Sequence, residues 1–232
     1  MPRQSRVAPG GEVYHVLNRA NGRLRLFRTD DDFLAFYRVL RQTYERTPTR
    51  LLAWCIMPNH WHFVVWPRHD GELSRFFGYL GLTHAARWQA AHNAIGTGHV
   101  YQSRFKNFLI QRDDHLKWVL RYVERNPLRA GAVKRAQQWP WSSLHTRLKG
   151  PAEMKSLLTE WPIAMPADWT KQVNRPQTAA EEEAVQLSIR RHRPLGDDRW
   201  IGAMAGRYDL QSTLRDRGGQ KGRIADGAKH KS

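Results

Sequence analysis

The chain has 232 residues, with 38 Lys and Arg against 21 Asp and Glu, a formal net charge of +17 and a pI near 10.7. Apolar residues at 41% suffice for a core and exclude wholesale disorder. No apolar run reaches the ~20 residues of a membrane span, and the single cysteine, Cys55, excludes an internal disulfide framework and a cysteine-rich zinc site. The opening MPRQSRVAPGG has no hydrophobic stretch of the secretory kind, so a soluble intracellular protein is expected. Residues 1–150 hold 24 Lys and Arg against 10 Asp and Glu, net +14, and residues 151–232 hold 14 against 11, net +3. A basic surface concentrated on the globular part favours a polyanion, nucleic acid first.

In chain order, Glu12 to Leu17 reads as a short strand followed by the polar turn NRANGR. Asp30 to Asp32 open a helix in which Phe33, Phe36, Tyr37 and Leu40 recur at helical spacing, ending before Pro48. Leu51 to Met57 and His60 to Trp66 are two strands separated only by Pro58-Asn59, the pattern of a hairpin. Gly71 to about Ala94 is a second helix, and Tyr101 to Ile110 contains a fourth strand carrying Arg104 and Lys106. Arg112-Asp113-Asp114 opens a third helix that runs to about Asn126 and is stopped by Pro127. The order β-α-β-β-α-β-α predicts an α+β fold: a ferredoxin-like antiparallel sheet with helices on one face, leaving the other face free to bind. We expect a domain over residues 1–149 and a partly irregular basic C-terminal extension over 150–232. In that extension, 150–178 is a linker or an irregular wrap, Glu181 to Arg193 and Asp197 to Tyr208 are helical, and the last ~15 residues are disordered.

Two segments carry chemistry. In MPNHWHFVVWP, His60 and His62 are two apart on a strand, so both imidazoles share a face and Trp61 points into the core. Such a pair can coordinate a divalent ion, hold a phosphate, or simply decorate a strand edge. In VLRYVERNPLRAGAV, Tyr122 and Asn126 are i and i+4 on the third helix, hence neighbours. A phenolate can attack phosphorus, and an amide oxygen can complete a metal site; an amphipathic tyrosine and a helix-end asparagine are the plainer alternative.

The two segments together resemble the HUH single-strand endonucleases, and within them the REP-associated tyrosine transposases. His60-Trp61-His62 looks like the histidine–hydrophobe–histidine motif, and Tyr-x-x-x-Asn-Pro at 122–127 like the catalytic tyrosine helix. YHVLNRANGRLRLF, LLAWCIMPNHWH, GHVYQSRFKNFLI and YVERNPLRAGAV are similar to further family segments in the same order, over about residues 10–147. RPLGDDRW and TLRDRGGQKGR resemble C-terminal extensions of part of the family.

The resemblance implies a bacterial, cytoplasmic enzyme that binds single-stranded DNA beside a repetitive extragenic palindrome hairpin. It implies that Tyr122 attacks the scissile phosphate, leaving a 5′-phosphotyrosine and a free 3′-OH. His60, His62 and Asn126 then hold Mg²⁺ or Mn²⁺, and reversal with another 3′-OH joins strands. The chemistry is coherent: a phenol, of pKa about 10, is a poor nucleophile at neutral pH, and a cation at the attacked phosphate offsets this. A covalent intermediate conserves the bond energy for rejoining. Asn18 and Arg19, read as the turn after the first strand, and Arg104 and Lys106, read as two apart on the fourth, are candidate DNA contacts. The family resemblance points to a monomer. The competing reading is a non-catalytic protein that binds hairpin DNA, or RNA, with the same fold.

Overall fold

In the computed structural model, residues 8–215 are described. The terminal stretch expected to be disordered lies outside the described residues. Strands β1 (Val13–Arg19), β2 (Arg50–Met57), β3 (His60–Trp66) and β4 (Lys106–Ile110) form one antiparallel sheet in the order β2-β3-β1-β4. Helices α1 (Asp30–Arg46), α2 (Glu72–Ala91) and α3 (Asp114–Arg129) complete the expected β-α-β-β-α-β-α order.

Local chemistry sets the element ends. The Asp32 carboxylate accepts from the backbone N–H groups of Arg28 at 2.8 Å and Thr29 at 3.0 Å, satisfying donors that a helix start leaves unpaired. Pro58-Asn59 forms the tight turn between β2 and β3, with Met57 paired to His60. The Asp113 side chain caps α3 by accepting from His115 N–H at 2.8 Å.

Alternation along the strands divides the sheet into two apolar faces. Tyr14, Val16, Trp54, Ile56, Trp61, Phe63 and Val65 pack against Phe36 and Leu40 of α1 and against Phe76, Phe77 and Leu80 of α2. Val13, Cys55, Met57, Val64, Phe108 and Ile110 point the other way, onto Leu116, Val119, Leu120 and Val123 of α3. The α+β class and the pair of helices on one face match the expectation. The free second face does not: α3 carries its own apolar stripe at i, i+3, i+4 and i+7 and buries it on that second face.

Pro127 does not stop α3. The helix continues to Arg129, because proline forfeits one backbone bond but tolerates the last turn when a strong closing motif follows. Gly131, at φ +69°, supplies that motif: its N–H donates to Leu128 C=O at 3.1 Å, and Ala132 N–H donates to Pro127 C=O at 2.9 Å.

Beyond α3 the chain forms short helices α4 (Ser143–Lys149), α5 (Ala152–Lys155) and α6 (Trp169–Asn174), then α7 (Ala179–Arg191), α8 (Asp198–Arg207) and α9 (Gln211–Leu214). Of the two forms expected for 150–178, this is the wrap. Trp161, Trp169, Val173, Val185 and Leu195 complete the core beneath α3. Leu195 also exchanges backbone hydrogen bonds with Leu109 and Gln111, covering the β4 edge. Among the described residues no helix is long and apolar enough to cross a membrane.

Candidate active site

β3 turns His60 and His62 toward α3 and Trp61 away from it. Trp61 is fully buried, with its indole N–H donating to Tyr101 Oη at 3.0 Å. α3 brings Tyr122 and Asn126, one turn apart, over the two histidines. The Tyr122 ring stands edge-on to His62 with centroids 5.9 Å apart, and the Asn126 side chain lies within hydrogen-bonding reach of the His60 ring. The four residues singled out in two distant segments therefore meet between β3 and α3. Tyr122, His62 and Asn126 are all buried, and His60 is half-buried.

The electrostatics keep both imidazoles neutral. Burial pushes the His60 pKa down to about 4, the nearby Arg19 and Arg129 charges push in the same direction, and Asn126 opposes them. Burial, then His60, His15 and the same arginines, hold His62 well below its ordinary value. A neutral imidazole has a lone pair to offer, as a metal ligand must. His60 Nδ1 lies 2.6 Å from Asn59 Oδ1; with that oxygen accepting, Nδ1 carries the proton and Nε2 is the open nitrogen.

Among the described residues no three His, Cys, Asp or Glu side chains are grouped to hold an ion, so a cation on the histidine pair would need another donor, and the amide of Asn126 beside His60 is of a fitting kind. The Asn126 side chain lies at the His60 ring with its Nδ2 buried and without a partner, and its Oδ1 is the atom that a cation would take. Two imidazoles and an amide leave the cation its full charge for phosphate oxygens.

Tyr122 has two further neighbours that the sequence reading missed. Its Oη accepts from Gln186 Nε2 of α7 at 2.7 Å, and the Arg129 guanidinium lies over its ring at 4.1 Å. Arg129 was within reach of the i+7 rule from Tyr122, whereas nothing local could have paired Gln186 with a residue 64 positions away. His15 was also missed. Its position in β1, alternating with Tyr14 and Val16, was a usable signal for the histidine face, and its Nε2 lies 2.8 Å from His62 Nδ1.

Of the four candidate DNA contacts, two lie on the histidine face. Arg19 pairs with His60 in the β1–β3 register, and Lys106 pairs with Leu17 on the same face. Both Asn18 and Arg19 belong to β1 rather than to a following turn, because pairing with β3 continues to Arg19↔His60 and Gln102 N–H donates to Arg19 C=O. Asn18 is buried, its Oδ1 accepting from Arg19 N–H. Arg104 is not on a strand with Lys106: β4 begins at Lys106, and Arg104 lies before it beside a groove lined by Asn18, Phe77 and Gly78.

A tyrosine and an asparagine poised over a histidine pair, on a four-stranded antiparallel sheet, define a class. The family model described as "Transposase IS200 like" matches residues 12–126, and over that segment the chain is similar to the family. Within it, the chain is similar to the REP-associated tyrosine transposase of Escherichia coli (strain K12), 26% identical over 142 residues, 59% of this chain and 78% of that protein. A Haemophilus influenzae protein assigned to the same group is 27% identical over 149 residues, 60% of this chain and 83% of that one. Among solved structures, that of a REP-associated tyrosine transposase bound to a REP hairpin shares the fold, with a TM-score of 0.54, 19% identity and coverage of 64% of this chain and 86% of that one.

Proposed function

We propose that this protein cuts and rejoins single-stranded DNA next to a REP-type hairpin through a covalent tyrosine intermediate. The observation that carries the reading is the meeting of Tyr122, His60, His62 and Asn126 in one buried site between β3 and α3. The similarity to REP-associated transposases, one of them solved on a REP hairpin, supports the choice of DNA and hairpin.

Tyr122 Oη gives up its proton to solvent and forms the new bond to phosphorus, the P–O3′ bond breaks, and the departing 3′-oxygen takes up a proton from solvent to become a free hydroxyl. The strand downstream of the cut stays on Tyr122 through its 5′-phosphate as a phosphodiester, and attack by another 3′-OH reverses the step and restores the phenol. Before DNA enters, Gln186 donates to the phenolic oxygen, and Arg129 and Arg19 place positive charge beside the site where a phosphate must lie. His60, His62 and Asn126 would hold Mg²⁺ or Mn²⁺. When bound, that ion supplies Lewis-acid polarisation of the phosphate and neutralises charge on the leaving oxygen.

The test is an incubation of the full chain with a hairpin-bearing single-stranded oligonucleotide and Mn²⁺, resolved under denaturing conditions. A DNA adduct that survives denaturation and maps to Tyr122 is the expected result. Tight hairpin binding with no adduct under any divalent ion would replace the enzyme by a binding protein.

A further inference from the structure

We propose that His15 is a positioning residue for His62, accepting the His62 Nδ1–H at its own Nε2 and so leaving the His62 Nε2 lone pair turned into the site. The proposal rests on the metal-dependent reading above.

The geometry is specific. His15 and His62 sit diagonally across the β1–β3 pairing, His15 opposite Val64 and His62 opposite Leu17, all on the face beneath α3. The two ring nitrogens are 2.8 Å apart and the ring centroids 5.0 Å apart. His15 is fully buried, tilted against Phe108 with centroids 4.9 Å apart. Its neighbours along this face, Val13 and Phe108, are apolar, and a valine or phenylalanine would pack there at no polar cost.

His15 instead brings a second ring nitrogen, Nδ1, that is buried without a partner. An unsatisfied buried nitrogen is a net penalty for folding. What His15 supplies in return is a single polar side-chain contact, the one to His62 Nδ1.

Between two neutral imidazoles only one proton is shared, and its placement decides what His62 can do. If His15 donates, His62 must carry its own hydrogen on Nε2, and that nitrogen is closed to a cation. If His62 donates, Nε2 is open. His60 is arranged the same way, its Nδ1 facing Asn59 Oδ1 and its Nε2 open. Ligand histidines are generally oriented by such a hydrogen bond on the other ring nitrogen. Asn59 and His15 are then equivalent partners, one for each histidine of the pair.

The direct experiment is long-range ¹H–¹⁵N correlation on ¹⁵N-histidine-labelled protein, without metal and with Mg²⁺. His62 should show a protonated Nδ1 and a bare Nε2 in both states. A His62 protonated on Nε2 overturns the proposal, whatever the enzyme does. Substitution then separates positioning from packing. His15→Phe keeps a ring against Phe108 and removes the acceptor; His15→Gln returns an acceptor near the position of Nε2. Mn²⁺ affinity of the protein without DNA should fall ~10–100-fold in His15→Phe and recover to within a few-fold of wild type in His15→Gln. Equal affinity in wild type and His15→Phe sinks the idea even if both variants are less stable. If His15→Phe does not fold, the comparison of wild type with His15→Gln and the wild-type nitrogen shifts still decide it. Absence of Mn²⁺ binding in the wild type would count against the metal-dependent reading, while the tautomer of His62 continues to judge His15.

Discussion

Gln186 of α7 donates a 2.7 Å hydrogen bond to the phenolic oxygen of Tyr122. The contact joins the proposed nucleophile to a helix that lies outside the family-matched segment 12–126. With Tyr122 only 3% exposed, Gln186 occupies the phenolic oxygen that the proposed reaction needs free. Gln186→Ala should therefore speed adduct formation, several-fold at low DNA concentration, with hairpin affinity unchanged. Slower cleavage at unchanged affinity would show instead that Gln186 serves the reaction by holding Oη. Deleting the chain beyond α4 would not isolate this contact, because it also strips Trp161, Trp169, Val173, Val185 and Leu195 from the core.

Tyr122→Phe keeps the ring between His62 and Arg129 and removes the oxygen. Cleavage and adduct should disappear while hairpin binding persists. Stability should fall by only about 1 kcal/mol, the usual net worth of one hydrogen bond, here the one from Gln186. Chemical denaturation and a denaturing gel check the two halves separately.

The two faces of β3 predict opposite phenotypes. Trp61→Ala opens a cavity among Phe36, Phe63 and Phe77 and deprives Tyr101 of its indole donor, so a loss of ~3–5 kcal/mol is expected. His60→Ala removes a half-buried ring, and should leave the protein folded but without Mn²⁺-dependent cleavage. Thermal melts that rank the two variants the other way would invert the face assignment.

His84 gives a pH prediction away from the site. Its ring is buried between Phe27 and Phe36, with Nδ1 2.7 Å from Tyr101 Oη, and burial pushes its pKa down to about 3. The unfolded chain takes up a proton near pH 6.5 and the folded chain does not. Stability is thus present above pH 6.5 and drains away as pH falls toward 3. Between pH 7 and pH 5 this single group should cost about 2 kcal/mol. Urea titrations at both values should show a drop for wild type that exceeds the drop for His84→Leu by that amount; equal drops would mean His84 is protonated in the folded state.

A cleft bounded by Arg125, Lys134, Arg135 and Lys171, with Asp168 the lone acid, flanks the far end of α3. If it tracks phosphates, Lys134→Glu and Lys171→Glu should each flatten the log K against log [salt] plot by about 0.7–0.9. Cleavage at saturating DNA should be unaffected. A slope identical to wild type would remove the cleft from the DNA path.

The residues that made the site legible were those whose geometry is set locally. His60 and His62 share a face because strands alternate, and Tyr122 and Asn126 adjoin because a helix turns every 3.6 residues. Only the convergence of the two segments needed the fold. Some misses were local: Pro127 is tolerated because Gly131 closes the turn behind it, and Arg129 lies two turns beyond Tyr122. Others came from contacts distant in sequence: Arg19 is held in β1 by His60, 41 positions later, and the tryptophans of the wrap over 150–178 belong to a core built by other segments. His15 was readable as a strand residue on the histidine face, but its partner nitrogen was visible only in the β1–β3 register.

Glu124 lies on α3 midway between Tyr122 and Asn126 and is fully buried. Its carboxylate accepts from Ser143 Oγ at 2.5 Å, from Trp169 Nε1 at 2.7 Å and from the Arg147 guanidinium. A carboxylate held this way fixes both the rotation and the depth of the helix, since lifting α3 would strand a charge in an apolar interior. The three donors come from α4 and α6 of the same chain. The tyrosine helix is thus moored from behind by its own polypeptide, and a swap of that helix between two copies would have to break the mooring twice. In the proposed reaction, the severed end of the DNA would therefore remain tethered to a stationary post, and the incoming strand would have to do the travelling.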